Sequence, residues 1–134
     1  MKKGLTIFLI ILGIIVLIGI FAYFGGTKKM DEVRDYPISD INMQTIDNGI
    51  YTGSCDIGRW ALDVKVHVNK HRIADVTIID RHEFYSTDDL MEELNEKIIG
   101  KTDPDFDAIT GATITSRAYM IAVTNALNSE KNNP

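Results

Sequence analysis

"WALDVKVHVNKHRIADVTIID", residues 60–80, decides the fold. Leu62, Val64, Val66 and Val68 alternate with Asp63, Lys65 and His67, the two-residue period of a strand with one face buried. "NKHR" supplies a turn, and "IADVTIID" returns as a second strand with Val76 and Ile78 pointing inward. Upstream, Asn48-Gly49 is a turn signal leading into a short strand around Ile50–Thr52, so the folded region starts near Asp47.

Downstream, the period changes. In "STDDLMEELNEKIIG", Leu90, Leu94 and Ile98 recur at helical spacing, with Met91 and Ile99 widening the stripe. Ser86 or Thr87 suits the N-cap, Asp88 and Asp89 the first turn, and Gly100 the end. A second helix is expected from about Ser116 to Leu127, where Ala118, Ala122 and Ala126 would let it lie close against the sheet or a ligand. These elements define an α+β domain, a small antiparallel sheet packed with two or more helices.

The first quarter of the 134 residues reads differently. Leu5–Phe24 carries no charge, and twenty residues at about 1.5 Å each match the hydrocarbon thickness of a bilayer. The run is longer than a cleaved secretory signal and lacks an A-x-A-like site, so an uncleaved anchor contacting lipid through residues 5–24 is expected. Lysines and arginines on the two flanks do not decide its orientation; the short leader favours an inside N-terminus with the remainder exported. The expected organisation is an anchor (1–26), a tether (27–46), a domain (47–128) and a tail (129–134). Beyond residue 26, twelve basic residues stand against nineteen acidic ones, a formal charge of −7 with no basic stripe, which argues against nucleic-acid binding. Cys55 is the sole cysteine and cannot form an internal disulfide, so packing must hold the domain together.

"DAITGATITSRA", residues 107–118, carries the chemistry. Thr110, Thr113, Thr115 and Ser116 surround Gly111-Ala112, just before the expected helix. Thr115 or Ser116 would be the N-cap, and the free N–H groups of a helix start form an anion site. Spacing alone does not choose between phosphate binding and simple capping.

The stretch "DAITGAT" fits Asp-x-x-(Ser/Thr)-Gly-Ala-Thr and resembles the modification site of FMN-binding domains that carry covalent flavin. "DNGIYTGSC", the hairpin, "RHE" and the Ala-rich helix extend the resemblance over roughly 80 residues. Similar domains occur in sodium-pumping NADH:quinone reductases and Rnf-type complexes. The resemblance implies that Thr113 bonds to the FMN phosphate, with Thr115 and Ser116 beside it. It also implies a separate flavin transferase that uses FAD and Mg²⁺ and recognises Asp107, Thr110, Gly111 and Ala112. The expected role is a carrier exchanging electrons with membrane or extracellular redox partners, with its domain on the outer side, rather than a stand-alone catalyst. A reversible FMN binder and a non-redox anchored interaction module are the alternatives.

Other candidates are weaker. His82 and Glu83, beside Tyr85, either line the flavin or end a strand. His67 and His71 are not spaced as a metal pair, and no metal site is expected. Trp60, Tyr51 and Tyr119 belong to the core or stack on the flavin. Cys55 is a reactive thiol or, as lone cysteines more often are, a small buried hydrophobe.

Overall fold

The computed structural model describes residues 1–81 and 87–129. Two compact units divide the chain, Met1–Glu32 and Val33–Pro134. Helix α1, Lys2–Asp35, makes up nearly all of the first and contributes its last turn to the second. In the first unit the apolar side chains are exposed all round the helix, and the Thr6 hydroxyl is satisfied by the Lys2 carbonyl at 2.9 Å. This helix is long and apolar enough to cross a membrane.

The second unit is an α+β domain. Strands β1 (Gly49–Cys55), β2 (Leu62–Asn69) and β3 (Arg72–Arg81) form an antiparallel sheet in that order. Helix α2 (Asp88–Ile98) meets β3, and helix α3 (Thr113–Asn128) packs on β1 and β2. Leu62, Val64, Val66 and Val68 are buried as their alternation requires. In β3, Val76 is buried, Ile78 is half-buried, and Ile73 joins the core. Two register shifts explain the broken period: Asp63 and Val64 pair with Asp80 and Ile78, while His67 and Val68 pair with Asp75 and Ile73. Ile79 and Ala74 are therefore extra residues, and each bulge resets the facing of its neighbours.

The β2–β3 turn places Lys70 and His71 at φ 51° and 59°, the left-handed pair of a tight hairpin usually given to Asn or Gly. Each costs on the order of 1 kcal/mol. Compensating bonds run to the preceding segment. The Lys70 N–H donates to Asn48 Oδ1 at 2.7 Å, and His71 Nδ1 lies 3.1 and 3.2 Å from the carbonyls of Met43 and Ile46. Two carbonyl partners require that Nδ1 carry the hydrogen. Asn48-Gly49 is not a tight turn: Gly49 opens β1, and Asn48 instead ties down the turn between the next two strands.

The stretch read as a tether is structured. The helix continues to Asp35, and Met43–Thr45 forms a 3₁₀ turn capped by Asn42. Val33, Met43 and Ile46 are buried, so the compact unit takes in fourteen residues ahead of Asp47. We refer to residues 33–46 as the strap.

Thr87 caps α2, accepting from the Leu90 N–H, while Ser86 lies outside the described residues. Met91, Leu94 and Ile98 are buried and Leu90 is half-buried. Ile99 departs from expectation at 45 % exposure: the helix has ended at Ile98, and an extended backbone at Ile99 turns its side chain outward. Gly100 follows at φ 82°, the left-handed residue that ends such helices.

Candidate functional site

The residues 107–116 occupy the loop into α3 and its first turn. Phe106 anchors the approach, its ring 6.1 Å from that of Tyr119 at 70°. Tyr119 is fully buried and donates to Asn95 Oδ1 at 2.6 Å, and Asn95 Nδ2 donates to the Val76 carbonyl at 3.0 Å. The loop, α3, α2 and β3 are thus tied by one ring contact and two hydrogen bonds.

Next comes a turn. The Ala112 N–H donates to the Ile109 carbonyl at 2.9 Å, with Gly111 third in the turn at φ 84°. A Cβ at residue 111 would meet nothing within 4 Å, so glycine answers a conformational need and the space beside it is open.

That turn delivers the chain into α3 at Thr113, three residues earlier than the expected start at Ser116. The N-cap is Ala112, which offers no side-chain oxygen, so Thr115 and Ser116 are not caps but lie within the first turn. The fully buried Ser116 hydroxyl donates to the Ala112 carbonyl at 2.8 Å and accepts from the Ile109 N–H at 3.1 Å. It staples the turn shut. Thr115 is also buried and engaged. Asp107, Thr110, Gly111 and Thr113 are exposed, and Ala112 is half-buried.

The two helix starts of this domain differ chemically. In α2 a threonine cap and two acids answer the free N–H groups and the positive end of the dipole. In α3 there is no side-chain cap and no acid in the first turn, and the N–H groups of Thr113 and Ile114 have no backbone acceptor among the described residues. Beside them stands the exposed Thr113 hydroxyl, which makes no hydrogen bond among the described residues. Such a start accepts an anion.

A sequence model described as the FMN-binding domain matches residues 58–128, just over half of the chain. The chain belongs to the FMN-binding domain family. No curated protein matches it. The matched span contains β2, β3, α2, the Gly111 turn and α3, while β1 and the strap precede it. Family membership supports FMN as the cofactor, and the residues at the α3 start fit its phosphate: N–H donors without backbone acceptors among the described residues, no competing carboxylate in the first turn, and open space at Gly111.

The remaining candidates separate by burial. Trp60 and Tyr119 lie in the core of the FMN-binding domain. Half-buried Tyr51 donates to the Asp47 carbonyl at 2.9 Å. Cys55 is 1 % exposed, the position of a small hydrophobe. His71 holds the strap, His67 is exposed on β2, and His82, Glu83 and Tyr85 lie outside the described residues. A shallow cavity of about 250 Å³ is lined by Asp56, Asp63, Asp80 and Arg81, but none of residues 107–116 reaches it. Among the described residues, no group of three or more His, Cys, Asp or Glu could hold a metal.

Sequence reasoning missed Phe106, Asn95 and Arg117. The Arg117 Nη2 donates to the Tyr36 carbonyl of the strap at 2.7 Å. Its signal was spacing, since Arg117 stands four residues after Thr113 and shares its face once the helix is known to begin there.

Proposed function

We propose that the protein is a membrane-anchored flavoprotein that carries FMN on Thr113 through a phosphoester and relays electrons at the membrane surface. The observation that carries this reading is the uncapped start of α3, where an exposed threonine hydroxyl stands beside N–H groups without backbone acceptors, in an FMN-binding domain.

Maturation is the work of a flavin transferase that reads Asp107, Thr110, Gly111 and Ala112. The Thr113 Oγ attacks the flavin-side phosphorus of FAD. One P–O bond forms, the pyrophosphate bond breaks, AMP departs with the bridging oxygen, and the hydroxyl proton passes to the transferase. The product is a phosphodiester with one negative charge, which the N–H groups of the α3 start receive. When bound, the flavin supplies reversible two-electron chemistry, while the protein positions it. Gly111 shapes the approach and Ser116 keeps the turn closed behind Thr113.

The apolar helix supports anchoring in the membrane; an inside N-terminus with the FMN domain outside is part of the same proposal. Its donor is a membrane dehydrogenase or quinone-linked system.

Intact mass of the full chain co-expressed with a flavin transferase tests the reading. One FMN less water should appear on the wild type and be missing from Thr113→Ala. Yellow colour lost on denaturation, with no added mass, would replace this reading with reversible binding. No flavin at all, with the transferase active on another target, would leave an anchored interaction module.

A further inference from the structure

Arg117 occupies an unusual position for a cation. It is half-buried, its Nε is out of contact with solvent and has no hydrogen-bond partner, and it makes no ion pair among the described residues. In a domain where acids outnumber bases, leaving a partly desolvated guanidinium without a carboxylate is costly. Among the described residues its one side-chain hydrogen bond is to a neutral carbonyl, that of Tyr36, which fixes the group without neutralising it. Thr113 lies one helical turn before it on the same face, and at this spacing the two Cβ atoms are about 5–6 Å apart. Long helical side chains lean as a rule toward the N-terminus, the direction of the turn that carries Thr113.

We propose that Arg117, held by the strap through the Tyr36 carbonyl, is the cationic partner of the flavin phosphate at Thr113. The inference rests on the flavinylation reading above and adds a residue to it. The helix start supplies N–H donors to one side of the phosphate, and Arg117 supplies the full opposite charge. Before attachment, the same cation attracts the pyrophosphate of FAD to the acceptor hydroxyl. The strap thereby becomes part of the cofactor site although it lies outside the matched family span.

The test is the initial rate of FMN attachment to the purified full-length chain by a flavin transferase with FAD and Mg²⁺, read by intact mass. Arg117→Gln keeps a donor for the Tyr36 carbonyl but removes the charge, and Arg117→Lys keeps the charge. Attachment should slow about tenfold in the glutamine variant, as expected for a lost charge-assisted hydrogen bond, and return to within about threefold of wild type with lysine. A glutamine variant at the wild-type rate, or a lysine variant as slow as glutamine, would overturn the proposal while leaving flavinylation intact. A wild type that takes up no FMN removes the flavinylation reading itself, and this proposal with it. A measurement without any variant guards against misfolding: the Arg117 guanidinium NMR signals of the wild type should shift when FMN is attached, and unmoved signals would count against the pairing.

Discussion

Tyr119 shows how one residue couples folding to the solvent. Burial first, and the negative charge of Asp75 second, push its hydroxyl well above the usual tyrosine range. The folded protein therefore keeps this proton at a pH where the unfolded chain, titrating near 10, has released it. The associated stability is fully present below about pH 10 and is lost as pH rises toward the folded value. Tyr119→Phe should cost about 1–2 kcal/mol at neutral pH, because Asn95 loses its donor. The same variant should show a shallower alkaline loss of stability than wild type. Denaturant titrations stepped through about pH 8 to 11 measure both, and identical slopes in the two proteins would refute the assignment. At this scale the sequence marks Thr113, the acceptor we propose, because its motif is local. It did not reveal Tyr119, Asn95 or Arg117 as a connected set, since those contacts join residues dozens of positions apart.

Among the elements, α3 and β1 approach each other closely at Gly53. A Cβ at Gly53 would lie 2.1 Å from the Ala126 backbone nitrogen and 2.5 Å from the Ala122 carbonyl oxygen. Neither is the movable end of a side chain, so the helix must back away. Gly53→Ala should therefore lose about 3 kcal/mol or more, measured by chemical denaturation. Gly111→Ala should lose only about 1–2 kcal/mol, because its barrier is backbone conformation in open space. Equal costs at the two glycines would show that the helix is not held at this distance. Elements were legible in proportion to their regularity. β2 alternates without interruption, and its four inward residues are those its pattern indicates. β3 carries two bulges that no pattern of apolar residues announces, so Ile73 was missed. The start of α3 was read three residues late because cap rules look for an oxygen, and here the cap is an alanine. The strap escaped notice because Val33, Met43 and Ile46 are too widely spaced to form any period.

For the molecule as a whole, the boundary of interest falls between Glu32 and Val33. Removing residues 1–32 should leave the thermal midpoint of the domain within a few degrees of the full chain, about 5 °C at most. Removing residues 1–46 also deletes three buried side chains and both acceptors of His71, and should lower the midpoint by about 10 °C or more. Scanning calorimetry on the two truncations distinguishes a domain that begins at the strap from one that begins at β1. The strap was invisible to periodicity, yet it is the part of the chain that leads from the apolar helix into the sheet.

One feature of the sheet bears on how copies of the protein coexist. Past α2 the chain returns along the outer side of β3: the Gly100 N–H donates to the Ile73 carbonyl at 2.7 Å, and the Ile73 N–H donates to the Lys101 carbonyl at 3.1 Å. Asn95 occupies the Val76 carbonyl three residues further on. At Ile73 and Val76, backbone groups through which an edge strand recruits a foreign strand are thus already engaged. Where the returning chain and Asn95 cover it, β3 gives a strand of a neighbouring copy no backbone template to pair with.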